Sequence, residues 1–127
     1  MKHVWARGTG ENYLTEIEVG AHRFTADEPP ALGGGDKGPA PYDLLLGSLG
    51  ACTAITLRMY AERKGWNPTR IEVDLALQRD GDTARIIRQL HIEGVDDAQR
   101  ARMADIAERT PVTLTLKGGI GIDTSLA

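Results

Sequence analysis

The sequence predicts an α+β chain in which antiparallel strands pack around one long central helix, with smaller helices following towards the C-terminus. Three observations carry this. The stretch from Pro41 to Gly65, PYDLLLGSLGACTAITLRMYAERKG, is apolar and small along most of its length and has helix-start and helix-stop chemistry at its ends. The segments before and after it alternate apolar and polar residues with period two, as half-buried strands do. Two further segments carry the cap residues that open helices.

Taken in order, His3-Val4-Trp5-Ala6 is a short strand, Tyr13 to Val19 alternates cleanly, and His22 to Ala26 follows after a Gly20-Ala21 turn. These read as two or three antiparallel strands with one solvated face. From Glu28 to Pro41 the sequence EPPALGGGDKGPAP has no periodicity. It reads as a flexible loop, long for a compact domain. Gly33, Gly35 and Gly38 match G-x-G-x-x-G in spacing, but prolines flank them, no helix opens inside them, and Gly38 is followed by Pro39 rather than by Lys-Ser/Thr. A phosphate-binding loop is not expected there.

Pro41 suits a first helical turn, where its missing N–H has no partner to lose. Asp43 in the first turn and Arg63 and Lys64 in the last complement the helix dipole. Gly65 provides the stop. At about 1.5 Å per residue the helix is about 36 Å long. Leu44, Leu45, Leu46, Leu49, Ala51, Cys52, Ala54, Ile55, Leu57, Met59 and Tyr60 spread around most of its circumference, which predicts burial on nearly all sides. Gly, Ser, Thr and Arg58 interrupt the apolar run, so a membrane span is not expected.

After the link Trp66-Asn67-Pro68-Thr69, the alternating strand Ile71 to Leu77, the Asp80-Gly81 turn and the return from Ala84 to Ile92 form a hairpin. Glu72, Asp74, Arg88 and Arg85 are expected on its polar face. Asp96 or Asp97 caps a helix running to about Arg109, with Ala101, Ala104, Ile106 and Ala107 inward. Thr110-Pro111 opens a short helix through Leu116, Gly118-Gly119 ends it, and Ile120-Gly121-Ile122-Asp123 reads as a last strand.

With 127 residues, a formal net charge of −3 and no Lys/Arg cluster, the chain fits one domain and lacks the basic patch that nucleic acid requires. No signal-peptide pattern opens the sequence, and one cysteine cannot close an intrachain disulfide, so cytoplasmic residence with a reduced thiol is expected. The three histidines, His3, His22 and His91, have no ligand spacing, so no metal is expected, and no cofactor is expected either. By residue type alone, Cys52 in an apolar helix reads as a packing residue before it reads as a nucleophile. It lies about three turns from the start of its own helix, too far for that dipole to act strongly. An activating cation would come from Arg23, Lys37, Arg58 or another subunit.

Gly38-Pro39-Ala40-Pro41-Tyr42-Asp43-Leu44-Leu45-Leu46, leading to Leu49-Gly50-Ala51-Cys52-Thr53-Ala54-Ile55-Thr56-Leu57, closely resembles the signature of the osmotically inducible protein C (OsmC) and organic hydroperoxide resistance (Ohr) superfamily. The order of elements around it, including Thr110-Pro111-Val112, is similar too. The resemblance implies a single OsmC-like domain over residues 1–127 and an intertwined homodimer. In that dimer two long helices pack together, both sheets wrap around them, and two active sites lie at the subunit interface. It also implies peroxidase chemistry, in which a thiolate attacks a hydroperoxide and the resulting sulfenic acid is captured by a second cysteine.

Cys52 matches the attacking cysteine. The second stands here as Thr110, which cannot form a disulfide. The family's helix-start glutamate, which orients an activating arginine, aligns with Tyr42, with Asp43 beside it. The arginine has only Lys37 and Arg23 as counterparts. Two readings follow. In the first, the chain is a one-cysteine hydroperoxide reductase of the oxidative stress response, resolved by an external thiol. In the second, it is a non-peroxidase member binding a small apolar or acyl ligand in the interface cavity, with Cys52 as packing.

Overall fold

The computed structural model describes residues 2–127. The contacts gather into two compact units, residues 1–45 and 46–127.

In the N-terminal unit, β1 (Trp5–Gly8), β2 (Thr15–Val19) and β3 (His22–Ala26) form an antiparallel meander in that order. Ile17 pairs with Ala6 on one side and Phe24 on the other. β3 matches its sequence bounds, whereas β1 begins later and runs further than expected. The glycine-rich segment contains a 3₁₀ turn, Pro30–Leu32, and is tied down. The Asp27 amide bonds the Pro39 carbonyl at 3.1 Å, the Asp36 amide bonds that of Glu28 at 3.1 Å, and the Thr25 hydroxyl bonds that of Lys37 at 2.6 Å. The buried Asp27 carboxylate accepts the amides of Glu28 at 2.8 Å and Lys37 at 3.1 Å. The Lys37 amide is the main reason that this carboxyl is held below its ordinary range. The flexible loop read from composition is therefore a closed, hydrogen-bonded one. Its bonds run to backbone groups distant in sequence, which composition does not reveal.

α1 (Pro41–Lys64) begins and ends as expected, with the Asp43 carboxylate accepting the Ala40 amide at 3.0 Å and Gly65 left-handed at φ 72°. Within the chain its burial is one stripe, Leu49, Thr53, Leu57 and Ala61, rather than nearly all sides. Ile55 and Met59 are exposed. By length and composition α1 could cross a bilayer, with a mean hydropathy of 1.4 in its most apolar window. Its glycines, serine and threonines thus break the apolar run less than the sequence reading supposed. The helices of soluble cores pass the same test, and the buried stripe of α1 is built into a core.

That core belongs to the C-terminal unit. β4 (Arg70–Asp80) and β5 (Thr83–Glu93) form the hairpin, with β4 four residues longer than the alternation suggested, one at its start and three at its end. Leu57, Ala61, Ile92, Met103 and Ala107 are its buried centre, ringed by Trp66, Ile71, Leu90, Val95 and Ile106. α2 (Asp97–Ala107) carries a full capping box: Asp96 accepts the Gln99 amide at 2.8 Å and the Gln99 side chain accepts the Asp96 amide at 3.1 Å. α3 (Pro111–Gly118) follows, with Thr110 as its N-cap.

Besides the inner face of α2, where Ala101 and Ala104 are exposed and Met103 takes the buried position, two expectations fail in this unit. Residues 119–127 form no strand in the chain, and Ile120 and Ile122 are 75% and 84% exposed. Their alternation is legible, but a strand also requires an edge to pair with. Arg88 is the second failure. It pairs in register with Leu75, between Leu77↔Ile86 and Val73↔Leu90, so it lies on the apolar face of the hairpin and not with Glu72 and Asp74.

Candidate functional site

Cys52 sits one residue before the buried Thr53, so the turn of α1 places it at the margin of the buried stripe, half-buried. Its Sγ accepts the backbone N–H of Val112 at 3.5 Å. Pro111 has no N–H, so Val112 offers the first of the unpaired amides that open α3. The positive end of α3, rather than that of α1, therefore faces the sulfur, and such a position favours negative charge.

Thr110 is fully buried. Its hydroxyl lies 2.6 Å from Thr113 Oγ1, and it does not cap the backbone of α3. Around these two threonines the structure shows a constellation that the sequence reading missed. Arg88, 13% exposed at its side chain, donates from Nη1 to Thr53 Oγ1 at 3.0 Å and to Thr113 Oγ1 at 2.9 Å. Its Nη2 donates to the Ala107 carbonyl at 3.0 Å, one of the carbonyls left open at the end of α2. Thr53 in turn donates to the Leu49 carbonyl at 2.7 Å, and Thr113 to that of Ala107 at 3.3 Å. One guanidinium thus joins α1, the end of α2 and the start of α3 to the hairpin.

Glu108 Oε1 stands 3.8 Å from Arg88 Nη2, while its other oxygen accepts from Lys117 at 2.7 Å. The Lys117 bond is the main cause that keeps the Glu108 carboxyl below its usual range, with the charge of Arg88 adding to it. A groove of about 690 Å³ opens beside this network, with Leu49, Ile86, Ile87 and Leu116 among its walls. The signal for Arg88 was present in the sequence. Residues 84, 86, 88, 90 and 92 share one strand face, and Arg88 is the one charged residue in an otherwise apolar set.

The other expected site residues lie in the N-terminal unit. Arg23 is largely exposed and pairs with Glu18 at 3.5 Å. Lys37 pairs with Glu11 at 2.5 Å, and that carboxylate raises its pKa. Asp43 caps the start of α1, and Tyr42 is half-exposed beside it. Each of the two cations is thus committed to a carboxylate within its own unit. In the C-terminal unit Arg58 donates to the Pro68 carbonyl at 3.0 Å. Cys52 and the Thr110 segment are the pair that the fold brings together. Among the described residues no cluster of His, Cys, Asp or Glu could hold a metal ion.

The profile of the OsmC-like protein family matches residues 34–125, more than half of the chain. The chain belongs to the OsmC-like family. The match includes Cys52, the Thr110-Pro111-Val112 segment and Arg88. The fold agrees with solved members of the family. The OsmC-like protein of Mycoplasma pneumoniae superposes with a TM-score of 0.74 at 18% identity, over 93% of this chain and 88% of that one. The organic hydroperoxide resistance protein OsmC of Legionella pneumophila gives 0.69 at 20% identity, over 93% and 90%. An organic hydroperoxide resistance protein of Elizabethkingia anophelis gives 0.70 at 20% identity, over 93% and 89%. At these identities the likeness is one of fold. No curated protein sequence gave a significant match. The chain departs from the family resemblance described above in having no second cysteine, since Cys52 is its only one.

Proposed function

We propose that this OsmC-like chain is a one-cysteine hydroperoxide reductase whose oxidised cysteine is returned by an external thiol. The observation that carries the reading is the half-buried Cys52 sulfur facing the first free amide of α3. In the reaction the Cys52 thiolate attacks one peroxide oxygen. An S–O bond forms, the O–O bond breaks, and the alcohol leaves after taking a proton. An external thiol then attacks the sulfenic sulfur, forming a mixed disulfide and releasing water, and a second thiol displaces Cys52 in reduced form. Thr110 cannot take the place of the external thiol, because a hydroxyl forms no disulfide. In steady state the purified protein is expected to consume an organic hydroperoxide only when a small thiol is supplied, and Cys52→Ser is expected to show no such turnover. Equal consumption by the variant would reject the reading.

The non-peroxidase reading, with a small apolar or acyl ligand, is favoured by one observation. Thr110 is fully buried and bonded to Thr113, so the position of the family's second cysteine is spent on structure. Under that reading Cys52→Ser leaves ligand binding unchanged and peroxide consumption is absent in both proteins. The cycle with an external thiol also requires a reducing compartment, and we place the protein in the cytoplasm on that ground.

We further propose a homodimer formed along the uncovered side of α1. Ile55 and Met59 there, with Leu114 on α3 and Ile120, Ile122 and Leu126 in the tail, are exposed apolar residues within one chain. Exposed apolar surface of this kind marks association surfaces. Sedimentation is expected to give a dimer at micromolar concentration, and Ile55→Lys to shift it towards monomer. A stable monomer for the unaltered protein would reject the dimer.

A further inference from the structure

We infer that Arg88 is a positioning residue for Cys52: its guanidinium ties the first turn of α3 to α1, and so sets the Val112 N–H against the sulfur. This rests on the reading that Cys52 is a working thiol. An arginine on the apolar face of a hairpin, only 13% exposed, is costly to bury unless its donors are met. Here they are met by groups that belong to the elements around the cysteine. Thr53 follows Cys52 directly on α1, and Thr113 follows Val112 directly on α3. Both threonine hydroxyls accept from the same nitrogen, Nη1.

The two backbone neighbours of the Val112–Cys52 contact are therefore held by one planar group. The bond from Nη2 to the Ala107 carbonyl fixes the third side, because residues 108–110 are all that connect α2 to α3. Lysine at this position would keep a charge but lose the planar fork whose Nη1 serves both hydroxyls while Nη2 reaches the Ala107 carbonyl. No group of Arg88 bonds the sulfur itself, so it acts through Val112.

Two readouts test this on the intact protein. The first is the rate of Cys52 alkylation by iodoacetamide. The second is amide hydrogen exchange at Val112, with α2 amides as internal reference. Arg88→Met and Thr113→Val are expected to slow alkylation by about tenfold and to speed exchange at Val112 by about tenfold, as for loss of one hydrogen bond. Thr113→Ser keeps the hydroxyl and is expected to match the unaltered protein in both readouts. A merely structural role would lower thermal stability and leave both readouts in place.

Should Arg88→Met fail to fold, Thr113→Val carries the test alone. A folded variant whose alkylation rate and Val112 exchange both match those of the unaltered protein would overturn the inference. If the unaltered protein alkylates no faster than an unstructured cysteine peptide, the thiol reading fails instead. The exchange arm then still decides whether Arg88 holds Val112.

Discussion

Leu57→Ala is expected to destabilise the C-terminal unit by about 3–5 kcal/mol, the range for removing a fully buried leucine from a core that closes only partly around the gap. Leu57 is 0% exposed and lies at the centre of the cluster with Ala61, Ile92, Met103 and Ala107. Two of those neighbours are already alanines, and Ile92 is held in the hairpin ladder opposite Ile71, so little can move into the space. Urea denaturation followed by far-ultraviolet circular dichroism measures the effect, as a lower midpoint at unchanged slope. A loss below about 1 kcal/mol would mean that the stripe on α1 is not the core.

Gly34→Ala is expected to have a comparable effect on the N-terminal unit, for a different reason. A methyl group at Gly34 would overlap the backbone carbonyl of Glu28, and that carbonyl already accepts the Asp36 amide at 3.1 Å. Gly38 is in the same position against the carbonyl of Thr25. A clash with a flexible side chain is relieved by a rotamer change, but a clash with hydrogen-bonded backbone requires the loop to open. The cost is expected to exceed about 3 kcal/mol, at the upper end for overpacking. Thermal denaturation should show the midpoint falling by roughly 10 °C. An alanine variant as stable as the original would show that the loop adapts freely.

These two positions show what could be read from the sequence and what could not. The bounds of α1 follow from Pro41, Asp43, Arg63, Lys64 and Gly65, because caps and dipole partners act within one turn of the helix that they end. The hairpin and the capping box of α2 are local in the same sense. The glycine loop was visible as a loop, but its closure was not, since Asp27 reaches Lys37 and Thr25 reaches the Lys37 carbonyl across ten residues or more. The tail from Ile120 alternates as a strand does, whereas a strand also needs a ladder, and none is formed within the chain.

The site divides along the same line. Cys52 was legible as the one cysteine on an apolar helix. Its contact with Val112, sixty residues away in sequence, depends on how α3 docks and has no local signature. The sequence reading therefore sought a cation in Arg23, Lys37 or Arg58. The structure gives Arg23 and Lys37 carboxylate partners and Arg58 a carbonyl. Arg88 belongs to the apolar face, as its parity with Ile86, Leu90 and Ile92 requires. The face that a strand residue takes is set by register and not by its charge.

The central claim is that Cys52 is a working thiol, and its first oxidation is the step that tests it most directly. Reduced protein is treated with one equivalent of an organic hydroperoxide in the presence of a sulfenic-acid trap, and the peptides are mapped by mass spectrometry. The expected result is prompt loss of the hydroperoxide with one trapped adduct, on Cys52. Persistence of the hydroperoxide with Cys52 recovered as an unmodified thiol would contradict the account.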